Sequence, residues 1–162
     1  MAALTDHDTL TLIDDLLQRY VSALDDLDMQ GWLATFSSDG QYRLTTQENV
    51  KYNLPLSLML DDCPERLKDR VKYVDEVWGN TVEEYQPRHF VQRGLSKTNG
   101  DGAYHVRSNF SLFYTSKEGH TKLLTVGRYD DVIVEEQGVF KFKSKTGIMD
   151  TAVPPRYIIY PV

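Results

Sequence analysis

The stretch His105-Val106-Arg107-Ser108-Asn109-Phe110-Ser111-Leu112-Phe113-Tyr114 decides the fold. Val106, Ser108, Phe110, Leu112 and Tyr114 alternate there with His105, Arg107, Asn109, Ser111 and Phe113. Successive strand side chains point to opposite faces, so this period of two predicts a strand with one covered face. Turn signals frame it: Asn99-Gly100-Asp101-Gly102 before, Ser116 to Gly119 after. Working outward, Phe90 to Leu95 predicts a strand on one side and Leu123 to Val134 a long strand on the other. Gln137-Gly138 turns the chain again, and Val139, Lys141, Lys143 and Lys145 then alternate with Phe140, Phe142 and Ser144. Long strands joined by tight turns predict an antiparallel sheet.

Upstream the period is 3.6. Leu10, Ile13, Leu16, Leu17, Tyr20, Val21 and Leu24 recur at three and four, with Asp6 or Asp8 placed to cap the helix they predict. A second, short helix is expected near Asp28, burying Trp32, Leu33 and Phe36 and ending at Ser37-Ser38-Asp39-Gly40. Gln41 to Thr46 reads as a short strand and Gln47 to Leu54 as a less regular stretch. Asp61-Asp62-Cys63-Pro64-Glu65 announces a further helix, a capping carboxylate followed by proline in the first turn. Its apolar stripe is Leu67, Val71, Val74 and Trp78, and Lys68-Asp69-Arg70 falls on the solvated or partner-facing side. Ile158-Ile159-Tyr160-Pro161 forms a short terminal segment. Helices first and hairpin strands after give an α+β class, with N-terminal helices packed on one face of a long curved antiparallel sheet. The arrangement suits the cystatin-like cone of the nuclear-transport-factor superfamily. No linker or repeat divides residues 1–162, so one domain is expected.

Eighteen basic and 24 acidic residues leave a net charge of −6, which argues against general nucleic-acid binding through phosphate neutralisation. The acidity is uneven: residues 1–81 carry 7 basic and 15 acidic side chains, residues 82–162 carry 11 and 9. An acidic half of this kind is a solvated surface or a docking face. Cys63 is the single cysteine, so the chain cannot close a disulfide on itself or build a cysteine-based zinc or iron–sulfur centre alone. Met1 to Asp8 lacks the basic and apolar regions of a secretory signal, and no apolar run reaches the ~18 residues of a membrane span. A cytoplasmic protein is expected.

The chain has no GxGxxG, Walker A or GxSxG motif, and His7, His89, His105 and His120 do not form HExxH. His105 and His120 could lie on neighbouring strands, which leaves open a two-histidine, one-carboxylate iron site. His89, in Gln86-Pro87-Arg88-His89-Phe90, is either a hydrogen-bonded histidine at a sheet edge or interface, or a general base in the mouth of a cone. Asp25, Asp26, Tyr42 and Tyr129 could supply its company. The carboxylate pairs Asp25-Asp26, Asp61-Asp62 and Asp130-Asp131 look like acid–base dyads, yet neighbours in sequence point apart, so each reads first as a cap, a turn or a half-buried pair. Arg43, Arg70, Arg88 and Arg128 lie beside aromatic or acidic residues, where an arginine fork can tie a partner subunit.

Together these residues resemble the small (β) subunit of Rieske-type aromatic-ring-hydroxylating oxygenases. The resemblance is carried by Trp32 with Phe36, Tyr42-Arg43-Leu44, Glu48-Asn49, Leu54-Pro55, Asp69-Arg70-Val71 and Arg88-His89. It continues through Gly127-Arg128-Tyr129-Asp130-Asp131-Val132-Ile133-Val134, Phe142-Lys143-Ser144-Lys145 and Ile159-Tyr160-Pro161. Each motif is weak alone; their order over nearly the whole chain is specific. Within the family the chain is similar to subunits serving aromatic acids, of the salicylate 5-hydroxylase, terephthalate and benzoate types, and Gln92-Arg93-Gly94 stands where those subunits have a proline-containing stretch. The resemblance implies a cone-shaped structural subunit, without catalytic residues, cofactor or metal of its own, in a hexamer of three large and three small chains. It places the Rieske [2Fe-2S] cluster and the mononuclear Fe(II) in the large subunit, with a ferredoxin and a reductase delivering electrons from a nicotinamide cofactor. Arg43, Asp69, Arg70, Arg88, His89 and Tyr129 are then expected at subunit interfaces. The alternatives are a stand-alone cone-fold dehydratase or isomerase using His89 as general base, and a small-ligand-binding module of the same fold.

Overall fold

Asp6 accepts a hydrogen bond from the Thr9 backbone N–H at 2.9 Å and so opens helix α1, His7–Asp25. Ile13, Leu16, Leu17, Tyr20, Val21 and Leu24 form its buried stripe. Asp28 caps α2, Met29–Leu33, through the Gly31 N–H at 2.8 Å. The computed structural model describes residues 1–79 and 84–162 of the chain. Among these, seven strands form one sheet: β1 Ala2–Ala3, β2 Phe36–Thr46, β3 Met59–Asp61, β4 Tyr85–Thr98, β5 Ala103–Ser116, β6 Thr121–Glu136 and β7 Val139–Met149. They run in the order β1-β4-β5-β6-β7-β2-β3. Neighbours are antiparallel except β2 and β7, which run parallel. Helix α3, Gln47–Lys51, follows β2; α4, Pro64–Lys72, continues into a π-helical stretch at Tyr73–Trp78.

One layer of helices covers one face of the sheet. Tyr20 and Leu24 of α1, Trp32 of α2, Leu67 and Val71 of α4 and the inward residues Tyr42, Phe110, Leu112, Tyr129 and Phe142 belong to one core. Trp32 meets Phe36 and Tyr42 edge to face, at 4.9 and 5.6 Å between ring centres, and Phe110 stacks on Tyr129 at 4.5 Å. Such pairs contribute about 0.5–1.5 kcal/mol beyond the area they bury. The central alternation holds: Val106, Ser108, Phe110 and Leu112 are buried, and Arg107 and Asn109 face out. The turn at Gln137-Gly138 has φ of 54° and 77°, the left-handed pair that a two-residue hairpin requires.

Four expectations change. Phe36 does not close α2; it opens β2, paired with Phe142 of β7, and Ser37 to Gly40 belong to that strand. Gln47–Lys51 is a helical turn, capped by the Thr46 hydroxyl. No carboxylate caps α4, because Cys63 holds the cap position and Asp61 lies in β3 with its side chain turned inward. The alternation of β7 breaks at Lys143: Ile133 pairs with Phe142 while Val132 pairs with Ser144. One extra residue opposite a strand inverts the phase of all that follow, so Lys145 turns inward and is fully buried.

Candidate functional site

Asp25 is the last residue of α1, where the helix dipole disfavours a carboxylate. It is buried and held by β4. The His89 backbone N–H donates to its Oδ1 at 3.0 Å, His89 Nδ1 lies 2.6 Å from the same oxygen, and Arg88 Nη1 stands 3.5 Å from Oδ2. Gln86 Nε2 donates to the Asp25 carbonyl at 2.6 Å. Of the four candidate companions Asp25, Asp26, Tyr42 and Tyr129, Asp25 stands beside His89. Asp26 is exposed and takes no part. Tyr42 is buried, and its hydroxyl accepts the Val162 N–H at 2.9 Å.

A histidine with one nitrogen fixed by a carboxylate has the orientation of a general base. Its Nε2 is buried and has no partner among the described residues. Strand alternation turns the His89 ring inward and Arg88 and Phe90 outward, so a surface cavity of about 530 Å³ is lined by Arg88, Phe90 and Phe113 on the opposite face of the sheet. A second, of about 430 Å³, is lined by residues of β4 to β7 that include His105, Arg107 and Asp130.

The second buried polar group escaped the sequence reading. Lys145 Nζ lies 3.0 Å from Asp131 Oδ2, and both side chains are sealed from solvent. The ammonium lies 3.6 Å from the centre of the Tyr129 ring, 4.3 Å from Tyr20 and 4.4 Å from Phe142. Ring faces attract a desolvated cation. Burial pushes the Asp131 carboxyl up to about 6, with the lysine opposing, and burial lowers Lys145 from the ordinary lysine value. The phase shift at Lys143 was the only signal for it, and a bulge leaves no mark in a single alternating pattern.

The paired carboxylates divide as expected of neighbours. Asp61 takes Arg70 in a two-toothed bridge, Nε at 3.0 Å and Nη2 at 3.1 Å, while Asp62 pairs with Arg66 outside. Asp131 faces Lys145, and Asp130 takes Arg107 at 2.8 Å on the outer face. Of the residues expected at interfaces, Asp69 and Arg88 are exposed and Arg43 and Arg70 half-buried. His89 and Tyr129 are buried within the chain, because the inward phase of β4 and β6 carries them into the core; their side chains do not present an interface. Among the described residues no three His, Cys, Asp or Glu stand close enough to hold a metal ion, and none of the helices is long and apolar enough to cross a membrane.

The sequence matches the family model described as "Ring hydroxylating beta subunit" over residues 19–156. It is 28% identical over 137 residues to the anthranilate 1,2-dioxygenase small subunit of Burkholderia cepacia, covering 85% of this chain and 84% of that one. It is 25% identical over 145 residues to terephthalate 1,2-dioxygenase terminal oxygenase component subunit beta 1 of Comamonas sp., covering 88% and 92%. Its structure superposes on the beta subunit assigned to an aromatic-ring-hydroxylating dioxygenase of Novosphingobium aromaticivorans with a TM-score of 0.79 and 27% identity, over 88% of this chain and 90% of that one.

Proposed function

The chain belongs to the ring-hydroxylating beta subunit family, and we propose that it is the non-catalytic small subunit of a Rieske non-haem iron oxygenase acting on an aromatic acid in the cytoplasm. Two relatives support the substrate class, since the anthranilate and terephthalate dioxygenases are named for benzene carboxylic acids. A salicylate-like or benzoate-like acid is the corresponding substrate here.

The observation that carries the structural role is the state of the interior. The imidazole of His89 and the ammonium of Lys145 are each bound to a carboxylate and buried, and a general base must reach the proton it moves. The donor set does not fit the Rieske cluster either, and among the described residues no three His, Cys, Asp or Glu stand close enough to hold the mononuclear iron. A Rieske cluster takes two cysteines and two histidines, and Cys63 is the single cysteine of the sequence. The cluster and the mononuclear iron accordingly belong to the large subunit, in a complex of three large and three small chains fed by a ferredoxin and a reductase.

Co-expression with the large subunit tests this reading. A complex of both chains, with iron and an aromatic-acid-dependent product, is the expected outcome. Stoichiometric iron in this chain purified alone, or turnover by this chain without a large subunit, would overturn it.

A further inference from the structure

Between Val50 and Leu60 every second residue is a large apolar side chain left in water. Val50, Tyr52, Leu54, Leu56, Leu58 and Leu60 are each between 41 and 60% exposed. The segment is clamped from beneath. The Leu56 carbonyl accepts three hydrogen bonds, from Thr45 Oγ1 at 2.8 Å, Arg43 Nη2 at 3.2 Å and Asn49 Nδ2 at 3.3 Å. Arg43 Nε donates to Ser57 Oγ at 2.8 Å, and the Leu58 N–H to the Leu44 carbonyl at 2.8 Å. Tyr42-Arg43-Leu44, Asn49 and Leu54-Pro55, which carried the resemblance, therefore build or hold this ridge. The apolar side chains are presented by a fixed backbone, which lowers the entropy lost on binding.

We propose that this ridge is the docking surface for the large oxygenase subunit, which adds an extended, uncharged apolar segment along it; the proposal rests on the reading of the chain as a small subunit. Area supports an occupant of this kind. An interface buries about 800 Å² per partner around an apolar core, and six half-exposed apolar side chains within residues 50–60 supply such a core. The sheet supports the mode. Leu58 leads into β3, the last strand of the sheet, and Leu60 lies within it; the far edge of β3 has no strand against it among the described residues. An open edge of this sort accepts an extended chain through its free backbone groups. Charge decides against a second copy. The ridge itself carries only Lys51 between Glu48 and Asp61, but it lies in the half of the chain with 7 basic and 15 acidic residues. Two copies meeting ridge to ridge would bring these like-charged halves together.

The decisive experiment replaces Tyr52 with the photo-cross-linker p-benzoylphenylalanine in the intact complex of large and small chains. Irradiation is expected to give a covalent adduct of one small and one large chain. An adduct of two small chains, or no adduct in a complex that retains both subunits, would overturn the proposal. The variant L56D/L60D, with an unchanged circular dichroism spectrum, should recover at least tenfold less large subunit than the wild type. Leu12→Asp, on the exposed side of α1, should recover as much as the wild type. Full recovery by L56D/L60D would overturn the ridge and leave the small-subunit reading standing. Failure of the wild-type chain to bind the large subunit would overturn that reading and the ridge with it. If L56D/L60D does not fold, the cross-link decides alone.

Discussion

Lys145 and Asp131 form an ion pair of 3.0 Å in which neither side chain touches solvent. Three aromatic rings enclose the ammonium, and the second carboxylate oxygen, Oδ1, has no partner among the described residues. A pair of this kind is weak evidence for stability, but removing one member strands a charge in the core.

Lys145→Met should therefore destabilise the chain by about 3–5 kcal/mol. The double variant D131L/K145M should recover most of that loss, since an apolar pair of similar volume leaves no charge behind. Urea denaturation of the three proteins measures both effects. A double variant no more stable than K145M would show that the pair is worth more than its desolvation.

The same pair sets a pH dependence. The folded-state pKa of Asp131, about 6, lies above the ordinary aspartate value of 3.8 because of burial. The native state then holds this proton more tightly than the unfolded state. Its contribution is present in full below pH 3.8 and is lost as pH rises through about 6. The stability of the wild type relative to Asp131→Asn should rise by up to roughly 3 kcal/mol between pH 7 and pH 4. Thermal unfolding of both proteins across that range tests the sign, and a gap that moves the other way would refute it.

Arg70 and Arg88 should behave differently on truncation. Arg70 is bound at two points to the buried Asp61, whereas Arg88 is 58% exposed and 3.5 Å from Asp25. Arg70→Ala is expected to cost roughly 2–4 kcal/mol by leaving Asp61 unpaired, and Arg88→Ala under about 1 kcal/mol. At 162 residues each kcal/mol is worth about 2–4 °C in Tm. Equal shifts for the two variants would contradict the intrachain role of Arg70.

His89→Ala separates structure from catalysis. It removes the ring beside Asp25 and should lower the heat stability of the chain. Turnover per intact complex, isolated by gel filtration, should stay within about twofold of the wild type. A general base supplies about 10²–10⁴-fold in rate, so a loss of that size in fully assembled complex would make His89 catalytic.

The elements themselves were legible because their signals are local. Stripes at three and four mark α1, period two marks β5 and β6, and Gln137-Gly138 marks a two-residue turn, each decided by neighbours in sequence. His89 and Asp25 were within reach as acid–base residue types, Asp25 as one of four candidate companions. The charge argued against general nucleic-acid binding, and the lone Cys63 against an iron–sulfur centre built by this chain alone, before any fold was known.

What escaped depends on register between distant segments. Phe36 is a strand residue because β2 lies parallel to β7 and meets Phe142, a pairing over more than a hundred residues that no local pattern announces. Lys145 is interior because one extra residue at Lys143 inverts the phase of β7. The apolar residues from Val50 to Leu60 would read as core by composition, yet they stand in water because Arg43, Thr45 and Asn49 hold their backbone at the edge of the sheet. Sequence determined which segments become helix or strand, since that preference is a property of neighbours. Tertiary structure decided which side chains face in, because a side chain's direction is set by the strand it pairs with.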